Sequence, residues 1–103
     1  MPLSRGKLLG YNFDLQTIEF TMYDGAIGVR CAIEAAAMDQ LQQPYRIRFA
    51  SNLVPLRAVQ FETLRSHIEQ HASRKFSAGI LEEDGTVLVR REDVISARIG
   101  IGR

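Results

Sequence analysis

The sequence contains few of the residues that most often carry recognisable chemistry. It has 103 residues, of which one is cysteine and two are histidine, and it has no tryptophan. A single cysteine excludes an intramolecular disulfide and a zinc site built from several thiolates. The sequence also has no run of about 18 apolar residues, so it predicts no membrane-spanning helix.

The sequence also lacks an excess of charge of either sign. The 13 lysines and arginines nearly balance the 12 aspartates and glutamates, which leaves a formal net charge of +1. Such a chain has no long-range field that draws it to nucleic acid or anionic lipid. The composition, 46% hydrophobic and 24% charged, is that of a folded protein, and the length predicts a single domain over residues 1–103. The first residues lack the apolar core of a signal peptide, so we expect a cytoplasmic protein.

The clearest pattern that is present is TIEFTMYDGAIGVRCAI, residues 17–33. Two alternating segments flank Asp24-Gly25, a dipeptide that favours a type I′ turn, and together they predict a β-hairpin. A turn that closes with Tyr23 opposite Ala26 places Glu19 opposite Arg30 as a cross-strand ion pair. This register gives the hairpin one apolar face, whose predicted pairs are Met22 with Ile27, Phe20 with Val29, and Ile18 with Cys31.

Two helices are predicted after this hairpin. The segment EAAAMDQLQQP consists of strong helix formers and predicts a short helix that ends at Pro44. The segment from Asn52 to about Phe76 has the longest helical periodicity, with Pro55 in its first turn. Its apolar stripe should cover the apolar face of the hairpin, and Gly79 suits the end of the helix. Between the two helices, YRIRF (45–49) alternates as a brief strand does, and the pattern is compatible with an edge strand or with a merely extended segment.

The end of the sequence repeats the hairpin pattern. Asp84-Gly85 predicts a second turn, with Leu81 opposite Leu88 and Ile80 opposite Val89. The tail from residue 95 to 103 is compatible with a fraying end or with an extra strand that pairs with another subunit. The fold class predicted from these elements is α+β, with an antiparallel sheet of four to five strands, two Asp-Gly hairpins, and one long and one short helix covering the sheet.

The candidate residues for catalysis or metal binding mostly favour structural roles. His67 and His71 lie four apart on the long helix, but Glu69 is misplaced for a zincin. A helical projection places His67 on the solvent side and His71 near the edge of the apolar stripe, so both are expected at the surface. Glu69 suits an ion pair with Arg65 one turn earlier. Cys31 lies on the inward face of the hairpin, where a thiol stays protonated and inert. The acidic residues 82–84 are expected at a solvated hairpin tip, and no phosphate-binding loop, dinucleotide fingerprint or serine elbow occurs.

A nucleic-acid surface is the alternative that the basic residues keep open. All but two of the basic residues are arginines, which pair with phosphate in bidentate geometry. Two arginines share one face of the brief YRIRF strand and two basic residues close the long helix, so the candidate phosphate contacts are Arg46, Arg48, Arg74 and Lys75. The aromatic residues of that strand alternate with the arginines and so face the core.

The order of three segments resembles a known family. IEFTMYDGAIGVRCAIEAAAMDQL, FETLRSHIEQHASRKF and DGTVLVRREDV resemble the domain of unknown function 1488 family of small bacterial proteins over about residues 11–95. The resemblance implies a compact α+β fold without an assigned activity, substrate or partner. Arg65 and Asp93 are the polar residues that match by position, and structural ion pairs are the favoured role for both. The chain departs from the family in its N-terminal arm, in its tail, and in offering Glu34 where the short helix often begins with a serine or threonine.

The leading functional prediction is therefore a small interaction or regulatory domain without catalytic activity. Its partner would be another protein, and a homodimer through an uncovered sheet edge is an additional expectation. The first alternative is nucleic-acid binding through the four basic residues. The second is a metal- or thiol-dependent enzyme that uses His67, His71, Glu69 or Cys31. No cofactor, metal ion or membrane is expected.

Overall fold

The computed structural model describes residues 3–42 and 53–101. Within these ranges the elements are β1 (Ser4–Asn12), β2 (Thr17–Asp24), β3 (Ile27–Glu34), α1 (Ala35–Leu41), α2 (Leu53–Ser77), β4 (Val87–Val89) and α3 (Arg91–Ile101). The strands form one sheet in the order β1-β2-β3-β4. The first three strands are antiparallel, and β4 runs parallel to β3. The predicted α+β class is confirmed, although the sheet is mixed.

The first hairpin is confirmed, but its predicted register is wrong by two residues. The strands close with Asp24 opposite Ile27, so Gly25 and Ala26 form the turn. Gly25 has φ +63, as the first central residue of a type II′ turn requires, whereas the sequence prediction placed Asp24-Gly25 at the centre of a type I′ turn.

A shift of two residues keeps each side chain on its predicted face but changes its partner. Glu19 lies opposite Ala32 and Arg30 opposite Thr21, so the predicted opposition of Glu19 and Arg30 is wrong. Ile27, which was expected on the apolar face, lies beside the turn and is 69% exposed.

The core lies between the apolar face of this hairpin and α2. Phe20 from β2 and Phe61 from α2 are both fully buried, with ring centroids 5.0 Å apart. All three helices contribute side chains to this one cluster. Among the described residues, the helices therefore lie on one side of the sheet. The other side, which we call the outer face, carries the alternate strand residues, among them Thr17, Glu19, Thr21, Arg30, Ala32 and Leu88.

The two predicted helices are confirmed. Helix α1 follows β3 without a loop, and its N-cap residue Glu34 makes no side-chain capping hydrogen bond. Helix α2 has 25 residues, and Gly79 with φ +75 follows its end. Pro44 and the YRIRF segment lie outside the described residues. No helix in the described ranges is long and apolar enough to cross a membrane.

The predicted second hairpin is wrong. Ile80 and Leu81 lie in the loop after α2, at 55% and 43% exposure, and β4 pairs in parallel with β3. Asp84-Gly85 does form a turn, but it closes a local loop in which the Glu82 N–H donates to the Thr86 carbonyl at 2.9 Å. Helix α2 returns the chain to the end of the sheet where β3 begins, so the next strand must run parallel to β3.

The tail is helical up to Ile101 and follows neither alternative that the sequence left open. The start of α3 carries half of a capping box, because Asp93 Oδ2 accepts the backbone N–H of Arg90 at 2.7 Å. Glu34 Oε1 accepts the backbone N–H of Arg91 at 2.9 Å. Asp93 of the RRED segment and Glu34 at the end of β3 thus each satisfy one free N–H group at the start of α3.

Strand β1 was not identified from the sequence. It pairs with β2 as an edge strand, but the register shifts between Arg5 and Leu8 and again between Leu8 and Gly10. Two such irregularities remove the period-two pattern that marks a strand in sequence.

We expect Gly6→Ala to lower the free energy of unfolding by about 1–3 kcal/mol, because a methyl group at Gly6 would collide with the backbone carbonyl of Thr21. Urea unfolding measures this change. The control is Gly28→Ala, whose added carbon would lie 3.8 Å from the Tyr23 ring and should change stability by less than about 0.5 kcal/mol. Equal stability of the two variants would contradict the close approach of β1 to β2.

Candidate functional site

A groove of ≈ 750 Å³ lies on the outer face of the sheet, between strands β2 to β4 and two loops. The strands contribute Thr17, Ala32 and Leu88, and the turn after β1 contributes Leu15. Carboxylates predominate among the charged lining residues, which are Glu19, Glu34, Glu82, Glu83, Asp84 and the single guanidinium of Arg30. We call this site the acidic groove.

The loop after α2 holds three of these carboxylates beside the strands. The Gly85 N–H donates to the Glu82 carbonyl at 2.9 Å, and Gly85 adopts φ +88. Asp84 Oδ1 accepts the backbone N–H of Thr86 at 3.0 Å. Hydrogen bonds from Thr86 lower the pKa of Asp84, so this carboxylate stays charged at neutral pH.

The carboxylates of the groove are only partly compensated. Glu82 pairs with Arg90 at 2.9 Å, and Glu34 accepts the N–H at the start of α3. Glu19 accepts a hydrogen bond of 3.3 Å from the neutral amide of Asn12. Glu83 is exposed and has no ion-pair partner within the described ranges. The groove therefore has an excess of negative charge.

Thr17 is the unusual residue in this groove. It lies on the outer face opposite Glu34 and is only 6% exposed. Its Oγ1 atom is buried and has no hydrogen-bond partner among the described residues. A buried hydroxyl without a partner costs about 1–3 kcal/mol, so Thr17 brings an unsatisfied polar group to the lining of the groove.

The two histidines lie away from the groove, on α2 and thus on the other side of the sheet. His67 is exposed and His71 is half-buried, as the helical projection predicts. Burial and then the charge of Arg74 lower the pKa of His71, so its imidazole is neutral at pH 7. Within the described residues, no group of three or more histidine, cysteine or acidic side chains is arranged to hold a metal ion.

Cys31 belongs to a strand that borders the groove, but its side chain points into the core. The thiol is fully buried, as predicted, and burial raises the pKa of Cys31 to about 12. Its sulfur lies 3.7 Å from the Val29 carbonyl oxygen. The thiol is therefore protonated and shielded from reagents at neutral pH.

The predicted ion pair between Arg65 and Glu69 is confirmed, at 3.1 Å. The sequence did not reveal its third member, Arg5 of β1, which makes two hydrogen bonds of 2.8 Å to the same carboxylate. Arg65 also donates to the Gly6 carbonyl at 3.0 Å. The cluster of Arg5, Arg65 and Glu69 connects the edge strand β1 to α2. Arg65 thus has the structural role that was expected for it.

Burial by itself raises the pKa of Glu69, but hydrogen bonds and charge from the two arginines outweigh it and hold the pKa of Glu69 below the ordinary 4.5. The carboxylate is therefore charged at every pH near neutrality.

A second polar network, which sequence reasoning missed, joins α1 to α2. Arg57, 7% exposed, pairs with Asp39 at 2.8 Å, and Gln60, 3% exposed, donates to Asp39 at 2.9 Å. Gln60 also donates to Gln42 at 2.9 Å. Helical spacing alone places Arg57 and Gln60 on the buried side of α2. Only the fold shows that their partners are Asp39 and Gln42.

The four candidate phosphate contacts are only partly described. Arg74 is exposed at the end of α2. Lys75 is mostly buried, and its amine donates to Asp93 at 2.8 Å and to the Leu88 carbonyl at 2.7 Å. Asp93 is thus a structural ion-pair member, as expected. Arg46 and Arg48 lie outside the described residues, so the predicted basic surface stays a prediction.

Comparison with known proteins identifies relatives of this fold. A family model described as "Protein of unknown function (DUF1488)" matches residues 7–89. The crystal structure of a protein of unknown function from the DUF1488 family of Shewanella loihica PV-4 matches with a TM-score of 0.62 and 18% identity, over 84% of this chain and 96% of that chain. At this identity the likeness concerns the fold alone. No curated protein matches the chain.

We expect Cys31 to react with a water-soluble disulfide reagent only after unfolding. At pH 8 a thiol with a pKa near 12 has a thiolate fraction on the order of 10⁻⁴, and the fold also excludes the reagent. Absorbance of the released product in buffer and in concentrated urea measures the reaction. Rapid modification of the native protein would contradict the burial of Cys31.

We expect Glu69→Gln to lower the free energy of unfolding at pH 7 by about 1–3 kcal/mol, because it removes the charge between two arginines. The pKa of Glu69 is lowered in the folded state, so this contribution is present above the ordinary value of 4.5 and is lost as pH falls through the folded value. Urea unfolding from pH 7 to pH 3 measures both effects.

The control for this series is Glu62→Gln. The Glu62 side chain pairs with Arg65 but is 53% exposed, so its loss should cost less than about 1 kcal/mol. A difference between Glu69→Gln and wild type that does not shrink in acid would exclude the charge as its cause.

Proposed function

The chain belongs to the DUF1488 family, and from this premise we propose that it is a small interaction domain that binds another protein through the acidic groove on the outer face of its sheet. The observation that carries the proposal is the groove itself. It combines carboxylates with apolar surface on the side of the sheet that no described helix covers. Such a combination suits the binding of a polypeptide.

Exposed apolar side chains at one end of the groove support this proposal. Leu15, which lines the groove, is 67% exposed, and Phe13 in the same turn is 60% exposed. Leu9 on the neighbouring edge strand is 48% exposed, and with Phe13 it lines a smaller depression that shares Glu19 with the groove. Large apolar side chains that cluster at the surface often mark sites of protein interaction.

The chemistry of the nucleophilic and basic groups favours binding over catalysis. Cys31 is buried as a thiol, and the imidazoles of His67 and His71 lie across the sheet from the groove. A nucleophile is activated by an adjacent general base or by a lowered pKa, whereas burial raises the pKa of Cys31 and the hydrogen-bond partner of its thiol is the Val29 carbonyl.

Nucleic-acid binding through Arg46, Arg48, Arg74 and Lys75 remains the alternative proposal. The carboxylates of the groove would repel phosphate groups, and the Lys75 amine is engaged by Asp93. Both observations favour a protein partner over a nucleic acid.

A homodimer through a sheet edge stays a prediction. Edge strand β1 carries Lys7 and two register shifts, and β4 has only three residues. Charges, bulges and short edge strands are features that disfavour edge-to-edge pairing. These features favour the outer face over either edge as the contact surface.

Affinity capture from native lysate, with the wild-type chain and two double variants as bait, tests the proposal. Leu15→Ser with Glu19→Gln alters the groove. Val59→Ser with Glu62→Gln makes the same kinds of change on α2, where Val59 is 64% exposed. We expect a protein that wild type and the α2 variant retain and that the groove variant loses at least tenfold.

Captured proteins and nucleic acids are identified at low and high salt. Equal retention by both variants, or no specific protein on wild type, would contradict the proposed site. Retention of nucleic acid that falls steeply with salt would support the alternative instead.

A further inference from the structure

We infer that the occupant of the acidic groove is a basic polypeptide segment, with a lysine or arginine side chain that reaches Thr17. The inference rests on the proposed function and deepens it by naming the chemistry of the partner. It depends on the negative charge of the groove, on the Thr17 hydroxyl that lacks a hydrogen-bond partner, and on the apolar residues that line the groove.

The charge of the groove selects a cation. Five carboxylates and one guanidinium line it, and Arg90 from outside compensates Glu82. Glu19 and Glu34 come from two strands, whereas Glu83 and Asp84 come from the loop after α2. Among the described residues these carboxylates form no cluster that holds a metal ion, so a cation that is larger and carries several N–H donors fits better.

Thr17 provides the second observation. Its hydroxyl is buried and lacks a partner, although the residue lines the groove. An ammonium or guanidinium group offers N–H donors in several directions. One N–H can donate to Thr17 Oγ1 while others donate to neighbouring carboxylates, of which Glu34 lies directly across from Thr17 and Glu19 lies two residues along the same strand.

The apolar lining residues complete the match. Leu15, Ala32 and Leu88 contact the groove beside its carboxylates. Lysine and arginine carry aliphatic stems that bury against apolar surface while the charged head meets polar groups. A metal ion or a small inorganic cation would leave these apolar residues without a contact.

The test measures binding of a fluorescein-labelled peptide of eight residues, alternating arginine and glycine, by fluorescence anisotropy in dilute buffer. We expect Glu19→Gln with Glu83→Gln to weaken binding on the order of tenfold, because two charges are removed from the site. Asp24→Asn with Glu62→Gln changes the net charge equally but lies outside the groove, and it should leave the dissociation constant within about twofold of wild type.

Substitutions at Thr17 test whether binding depends on this hydroxyl or only on electrostatic attraction between the peptide and the protein. Thr17→Val should raise the thermal midpoint of the free protein, because it removes a buried hydroxyl that has no hydrogen-bond partner. It should also weaken peptide binding about threefold or more, because the bound peptide can no longer donate a hydrogen bond to this hydroxyl. Thr17→Ser keeps the hydroxyl and should keep the affinity. Equal weakening by both double variants, or unchanged affinity in Thr17→Val, would overturn the inference.

Two further probes distinguish this inference from the proposed function. A lysine-glycine peptide should bind and a glutamate-glycine peptide should not; binding of the acidic peptide would contradict the inference. If the arginine and lysine peptides fail to bind while the capture experiment still finds a protein that depends on Leu15 and Glu19, the basic occupant is wrong and the interaction site stands. If both experiments fail, the groove is not a binding site.

Discussion

The need to cover the apolar face of the β2–β3 hairpin is the constraint on which the rest of the structure depends. Phe20 and its neighbours on that face are fully buried, and each such side chain would cost about 1.5–3 kcal/mol if left in water. Helix α2 supplies the cover through Phe61, Leu64, Ile68 and Ala72. Because the three helices of the described ranges all contribute to this one side, the opposite side of the described sheet is left for loops and for the acidic groove.

Strand β3 shows how one short segment separates two kinds of chemistry. Cys31 points into the core, where its thiol is inert, while Ala32 on the outer face borders the carboxylates. Polar networks stabilise the frame around this strand. Arg5, Arg65 and Glu69 hold the edge strand to α2, and Arg57, Asp39 and Gln60 hold α1 to α2. These charged residues of the core side are thus engaged in structure, whereas Glu83 in the groove has no ion-pair partner within the described ranges.

Sequence reasoning was sufficient where a pattern depends on near neighbours. The periodicity of α2, the burial of Cys31 and the ion pair of Arg65 with Glu69 all follow from spacing along the chain. It failed where distant segments decide the outcome. Irregular pairing hides β1, and the direction of β4 depends on where α2 returns the chain. The acidic groove forms between strands and a loop that the sequence predicted to be a solvated hairpin tip. The lack of a partner for the Thr17 hydroxyl depends on three-dimensional packing alone.

The parallel pairing of β4 also has a consequence for the order in which the protein folds. The β2–β3 hairpin closes a loop of two residues, whereas Val87 meets Cys31 only after more than half of the chain has intervened. Closing so long a loop has a large entropic cost before any contact compensates for it. We therefore expect the hairpin and α2 to form first and the three-residue strand to dock later, together with the loop that completes the groove.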